Sequence, residues 1–360
     1  MSTEIPALPG LLDSHDVAAT AAAIARAQEP DGAVPWTPGG HTDVWNHVEA
    51  AMALLVGGEV DAAHRAYDWC LATQRADGSW PMRLVAGVVD DASGETNMSA
   101  YLAVGVWHHW LVRHDEPFVR RTWDAVRRGL DFVVSLQLPF GGIAWSREPG
   151  GHLNAEALLA GSSSIFHAFT AGVALADLVS EPQPEWELVA GRLGHALREH
   201  RDLFLDKSTF SMDWYYPVLG GAVRGAAGLA LVESRWDSFV VPGLGIRCVD
   251  TNPWVTGAET SELALALDAL GDRDRALALL GDVQHLRHDD GSYWTGYVWP
   301  DRVRWPGEQT TYTAAAVVLA VDALSSTTPG SDIFRGASLP TDFAELGLEC
   351  GCADARQRVG

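Results

Sequence analysis

Residues 74–81 read QRADGSWP, and near copies stand at QEPDGAVPW (28–36), QLPFGGIAW (137–145) and QHLRHDDGSYW (284–294). Each copy joins a Gln to a Gly and then to a Trp. Each also follows a stretch with the apolar period of an amphipathic helix. A unit written several times in one chain is the mark of a repeat architecture.

The stretches before the copies, and their counterparts elsewhere, carry Arg, Asp and Glu on one side. They are DSHDVAATAAAIARAQ (13–28), EVDAAHRAYDWCLATQ (59–74), PFVRRTWDAVRRGLDFVVSLQ (117–137), PEWELVAGRLGHALREHRDLF (184–204) and DRDRALALLGDVQHLR (272–287). These predict outer helices with one wet face. A sixth is expected within 234–250. Between them lie segments that are apolar on most of their circumference: 45–56, 95–111, 162–179, 219–233, 256–270 and 308–324. A helix apolar nearly all round is buried. Six buried helices alternating with six exposed ones predict an all-α, (α/α)6 toroid over residues 13–325, which buries all six around one core. Strand signal is weak. Residues 1–12 form an N-terminal extension. The Ser/Thr/Pro/Gly-rich stretch 326–360 is a tail, packed on the barrel wall or loose.

In this frame the repeated motif is a clasp. Gln closes an outer helix, Gly allows a left-handed or crowded turn, and Trp packs the turn against the next outer helix with its ring on the Gln amide.

RAYDWCLATQ (65–74), followed by Gly78 and Trp80, resembles the QW repeat of squalene–hopene cyclases. RGLDFVVSLQ (128–137), followed by Gly141, resembles it again, with Trp145 two positions late. On these motifs the chain resembles the prenyltransferase/squalene-cyclase repeat superfamily. That resemblance implies an α/α toroid and a terpenoid-cyclase-like enzyme, in which a protonated Asp activates an alkene inside an aromatic cavity. Such cyclases carry Asp-x-Asp-Asp. The nearest match here is VVDD (88–91), with Val88 in the first place, which nominates Asp91 with Asp90 beside it.

The residues themselves leave other chemistry open. Acids and aromatics gather where the inner helices begin. Glu95, Asp43, Asp213, Glu259 and Glu308 are candidate acids and bases. Trp45, His47, His167, Trp214, Tyr215, Tyr216, Trp254, Trp299 and Trp305 are candidate substrate contacts. Two carboxylates between aromatic platforms also suit glycoside hydrolysis of a neutral carbohydrate by inversion. A non-catalytic binding toroid would use the same funnel. Acids at helix starts also serve as caps, and TGAE (256–259) has the form of a capping box.

The net charge of −22, from 25 basic and 47 acidic residues, argues against nucleic acid and anionic membranes as partners. The expected partner is a small molecule, an isoprenoid or a neutral sugar. No run of about 18 uninterrupted apolar residues predicts a membrane span. Cys70, Cys248, Cys350 and Cys352 form neither a disulfide framework nor a metal-ligand pattern, so no metal or cofactor is expected and a cytoplasmic setting fits.

Overall fold

The computed structural model describes residues 4–340. Helices alternate between two layers along the chain. α1 (Ser14–Ala27) is outer and α2 (Val44–Val56) inner; α3 (Val60–Thr73) is outer, and α4 (Thr96–Ala100) with α5 (Leu102–Arg113) forms one jointed inner helix. α6 (Glu116–Val134) is outer, α7 (Leu159–Val179) inner, α8 (Pro184–Glu199) outer, α9 (Ser211–Leu219) inner and α10 (Gly225–Glu233) outer. After the single turn α11 (Trp236–Phe239), α12 (Gly257–Ala269) is inner, α13 (Arg273–Asp282) outer and α14 (Thr311–Ser325) inner.

Local chemistry explains the layers. α6 buries Phe118, Val119, Trp123, Val126, Leu130 and Val133 on one stripe. Its other face pairs Arg120 with Glu116 at 2.7 Å in solvent. α2 and α14 are instead buried on every side. The inner helices pack in a circle: α2 on α5, α5 on α7, α7 on α9, α9 on α12, α12 on α14, and α14 back on α2. That last contact closes an (α/α)6 toroid. α7 is long and apolar enough to cross a membrane, yet it is buried within this ring.

The clasps hold neighbouring outer helices. The Gln28 side-chain amide donates to the carbonyls of Gly32 (3.0 Å) and Ala62 (2.9 Å). Gln74 repeats this with Gly78 (2.8 Å) and Ala125 (2.9 Å), and Gln137 with Gly141 (3.1 Å) and Val189 (3.0 Å). Each Gly has positive φ. A Cβ on Gly32, Gly78 or Gly141 would stand 2.3, 2.1 or 2.6 Å from the carbonyl oxygen of Arg65, Arg128 or Arg192 on the next outer helix. Only glycine fits both demands. In the fourth copy Arg287, not Gln284, stands four residues before the Gly. Arg287 Nη2 reaches Asp16 Oδ1 on α1 at 2.9 Å, and Gly291 abuts Ala19. The expected Trp role does not hold either. Trp80 is buried and donates to Cys70 O at 2.9 Å, on the helix that precedes its own turn, while Trp36 reaches inward.

Two other expectations are corrected. Segment 219–233 is not an inner helix. The inner position belongs to α9, and α10 lies outside with only Gly228 and Val232 buried. Strands also exist. β1 (His41–Thr42), β2 (Pro81–Val85), β3 (Val88–Glu95), β4 (Ser146–Arg147) and β5 (Leu153–Asn154) form one antiparallel sheet in chain order. β6 (Val240–Val241), β7 (Gly245–Arg247), β8 (Trp254–Thr256), β9 (Gly296–Val298) and β10 (Val303–Arg304) form a second, in the order β10-β9-β8-β7-β6. Beyond α14 the chain packs on α5 and α14, and Arg224 at the start of α10 donates to Phe334 O at 2.6 Å. Cys350 and Cys352 lie outside the described residues.

Candidate active site

The strands lead into inner helices: β1 into α2, β3 into α4 and β8 into α12. Both sheets therefore border the end of the ring at which these helices begin. Residues there have extended backbone and then a free helix N-terminus, which favours an acidic side chain.

Asp43 caps α2. It accepts the Asn46 backbone N–H (2.9 Å) and side-chain N–H (2.5 Å), and His41 Nε2 lies 3.8 Å away. Glu95 caps α4 and accepts the Met98 N–H at 2.6 Å. Both are buried. Burial raises the Asp43 carboxyl above its ordinary range, against the pull of Asn46 and His41. Burial, with the charge of Asp43 adding to it, lifts Glu95 from 4.5 to about 7. Each of these carboxyls therefore keeps its proton to a higher pH than a solvated one does.

Around the ring from Asp43, Glu308 precedes α14. Its Oε1 accepts the Trp36 indole N–H at 3.0 Å. Trp36 stacks on His41 (5.7 Å, 16°) and meets Tyr312 (5.5 Å). Next comes Glu259, half-buried in the first turn of α12 and hydrogen-bonded to the Cys248 thiol. Thr256 caps that helix without a side-chain bond, so TGAE is not a capping box.

Below this row is a tyrosine floor. Glu262, deep in α12, accepts hydroxyls from Tyr215, Tyr216 (2.8 Å) and Tyr312 (2.7 Å). Burial and the charge of Glu49 push Glu262 up, while the phenols of Tyr215 and Tyr312 work the other way. Glu49 accepts the Tyr101 hydroxyl at 2.7 Å, and burial lifts it to about 7. Trp45 covers the centre, with ring contacts to Tyr101 (5.1 Å), Tyr312 (5.3 Å) and Tyr216 (6.4 Å).

The sequence candidates thus divide. Asp43, Glu95, Glu259, Glu308, Trp45, Tyr215 and Tyr216 come together. Asp90 and Asp91 do not, because they lie on the β2–β3 hairpin. Asp90 is paired with Arg83 in solvent at 2.5 Å, and the Ser93 N–H and hydroxyl hold Asp91 below the ordinary range. Asp91 is therefore not a protonated acid in a sealed cavity. Asp213 bonds the Ala160 N–H at 3.2 Å and joins α9 to α7; burial lifts it to about 6. His47 is buried between Val34 N–H and Ala66 O, and His167 bonds Ile333 O at 3.0 Å. Trp214 stacks on Phe239 (5.1 Å), away from the ring centre. Trp254 lies on β8 of the second sheet, and Trp299 and Trp305 directly follow β9 and β10. Arg247 sits 5.3 Å over Trp299, and Trp254 meets Trp305 edge-on at 5.0 Å.

Sequence reasoning missed Glu262, Glu49, Trp36, His41, Tyr101 and Tyr312. The two acids had a readable signal. SELALALDAL and HVEAAMALLV place Glu inside otherwise apolar helices, and a buried acid requires a partner. Among the described residues no three His, Cys, Asp or Glu side chains gather as metal ligands.

The chain matches no protein-family model. It is 56% identical over 353 residues to the MMP endo-(1,4)-3-O-methyl-α-D-mannosidase of Mycolicibacterium hassiacum, covering 98% of each chain. A solved structure titled "Glycosidase Wild Type" superposes with a TM-score of 0.68 at 17% identity, over 88% of this chain and 99% of that one. The GH63 mannosylglycerate hydrolase of Thermus thermophilus gives 0.63 at 12% identity, over 85% and 99%. A D-mannose isomerase gives 0.65 at 10%, over 87% and 97%. The structural likenesses show the fold. The sequence likeness shows that the protein is an enzyme, and it overturns the terpenoid-cyclase and prenyltransferase reading. The QW-like motif fastens outer helices whatever the ring encloses, so it carries no chemistry of its own.

Proposed function

The chain belongs to the family of the MMP endo-(1,4)-3-O-methyl-α-D-mannosidase, and from that premise we propose that it hydrolyses α-(1→4) bonds between 3-O-methylated mannosyl units within a glycan. The observation that carries the mechanism is the row of carboxyls at one end of the ring, with Asp43 and Glu95 both buried at helix starts and both raised by that burial.

Protonated Asp43, beside the half-exposed His41, gives its proton to the glycosidic oxygen as the C1–O bond breaks. A water attacks C1 and passes a proton to Glu259, so one water is consumed; Glu259 then releases that proton to solvent and Asp43 takes one up. Asp43 and Glu259 begin helices α2 and α12, which are separated by α14. Inversion places a water between acid and base, so the two must stand on separate elements, as these do. Glu308 already accepts from Trp36 and holds that indole in place. Trp36 and Trp45 offer faces for the sugar ring, and nearby His41 offers a hydrogen bond. A neutral glycan also suits a chain with net charge −22.

The test uses a 3-O-methyl-α-(1→4)-mannooligosaccharide. Asp43→Asn and Glu259→Gln should each lower kcat by about a thousandfold or more, with the fold retained by circular dichroism. NMR of the first-formed product should show the β anomer. Retained turnover in either variant rejects the assignment of that residue, and an α product rejects inversion.

A further inference from the structure

Exposed large apolar side chains are concentrated on the two sheets. Val85 (39% exposed), Val88 (69%), Val303 (50%) and Trp305 (55%) are the relevant ones. Their register places them on two faces. In the first sheet His41 pairs with Val85, and Val85 with Val88. Cross-strand partners point to the same side. His41, Val85 and Val88 therefore form one ladder, and Trp36 stacks on its inner end. Asp43, two residues after His41, lies on the same side and 3.8 Å from it. In the second sheet Trp254 pairs with Val298, and Val298 with Val303. Trp305 stands edge-on to Trp254 and accepts its indole N–H through the backbone carbonyl at 2.7 Å. Gly296 leaves room for this: a Cβ there would meet Trp254 Nε1 at 2.4 Å. This second ladder runs back along β8 into α12 and Glu259.

Each of the two carboxyls assigned above thus follows, along the chain, a strand whose sheet carries exposed apolar side chains outward. On the first hairpin Arg83 is paired with Asp90 at 2.5 Å, and Asp91 is held by Ser93. Resting on the reading above, we infer that the two strips are the specificity-determining surfaces for a methylated glycan. The Trp36–His41–Val85–Val88 strip receives the methyl-bearing edge of the sugar units on one side of the cut, and the Trp254–Val298–Val303–Trp305 strip those on the other. An O-methyl group replaces a hydroxyl hydrogen with an apolar group. It gains from leaving water against valine and indole, whereas a free hydroxyl pressed there loses hydrogen bonds. An enzyme cutting within a chain also needs contacts on both sides of the bond, and two strips supply them.

The experiment compares kcat/KM on two probes, a 3-O-methyl-α-(1→4)-mannooligosaccharide and its unmethylated counterpart. The variants are Val85→Thr/Val88→Thr, Val303→Thr/Trp305→Ala, and Leu188→Thr on the outer helix α8 as a control. All the substituted side chains are exposed, so the fold tolerates them. Wild type should prefer the methylated probe. Each mouth variant should reduce that preference about fivefold or more, since each loses the cover for at least one methyl group. Leu188→Thr should keep it. A mouth variant with the wild-type preference overturns this inference and leaves the hydrolase reading standing. A wild-type enzyme that cleaves neither probe overturns both.

Discussion

The indole N–H of Trp36 donates to Glu308 at 3.0 Å, tying the turn before the first inner helix to the turn before the last. One bond joins residues 272 positions apart and sits beside the proposed acid. Trp36→Phe keeps the ring and removes the N–H. It should cost about 1 kcal/mol of stability in urea unfolding and free Glu308, with a larger loss in kcat/KM than stability alone explains. An unchanged kcat/KM would mean that this bond does not position the site.

Activity should fall as pH rises. The proton donor must be protonated, and burial raises Asp43 above the ordinary carboxyl range. Turnover therefore declines as pH rises through that raised range. Glu95→Gln removes the second carboxyl, so the limb should move to lower pH, because Asp43 loses a like-charged neighbour. A pH–kcat profile of wild type and variant reads this directly. An unmoved limb would show that the pair is not coupled.

Glu49 makes a stability prediction. Its carboxyl is raised by burial from 4.5 to about 7, so the native state binds a proton that the unfolded state releases. This stabilisation is full below about pH 4.5 and is lost as pH rises through 7, amounting to about 3 kcal/mol. Glu49→Gln still accepts from Tyr101 and has no proton to lose. The variant should match wild type near pH 5, exceed it at pH 8, and show a flatter melting temperature against pH.

Glu262 is the opposite case, since three phenols depend on it. Glu262→Leu strands three buried hydroxyls at about 1–3 kcal/mol each. Unfolding should begin at much lower urea, with Glu262→Gln intermediate between it and wild type. Equal midpoints for Leu and Gln would show the hydroxyls finding other partners.

The clasp is testable at one atom. Gly78→Ala meets Arg128 O at 2.1 Å and a φ of +89°, so it should destabilise by about 3 kcal/mol or more. Gly87→Ala, at φ +73° with open space around it, should cost about 1–2 kcal/mol. Chemical denaturation of the pair separates strain from collision.

Much of the ring was legible because burial all round is written into composition: α7 and α14 read as inner helices without ambiguity. α9 did not. Its nine residues, SMDWYYPVL, are too few to show a period, and Pro217 argues against helix. The neighbouring α10 reads as buried because GAAGLALVE is apolar, although it lies outside. The two-residue strands β1 and β10 are too short for alternation to appear. Asp43 and Glu95 were legible as acids at helix starts. Their raised proton affinity was not, since it depends on how α2 and α4 converge. The Trp36–Glu308 pair is invisible to any local pattern.

The turn after the last outer helix grips the first outer helix, through Arg287 on Asp16 and Gly291 on Ala19. Open repeat arrays have two ends that can fray, and each unit leans only on its neighbours. Here no unit is terminal. A chain emerging from the ribosome cannot seat α1 until nearly three hundred residues later, so its early helices wait as an incomplete arc with bare apolar flanks. The finished molecule should then come apart in a single cooperative step, without peeling from either end.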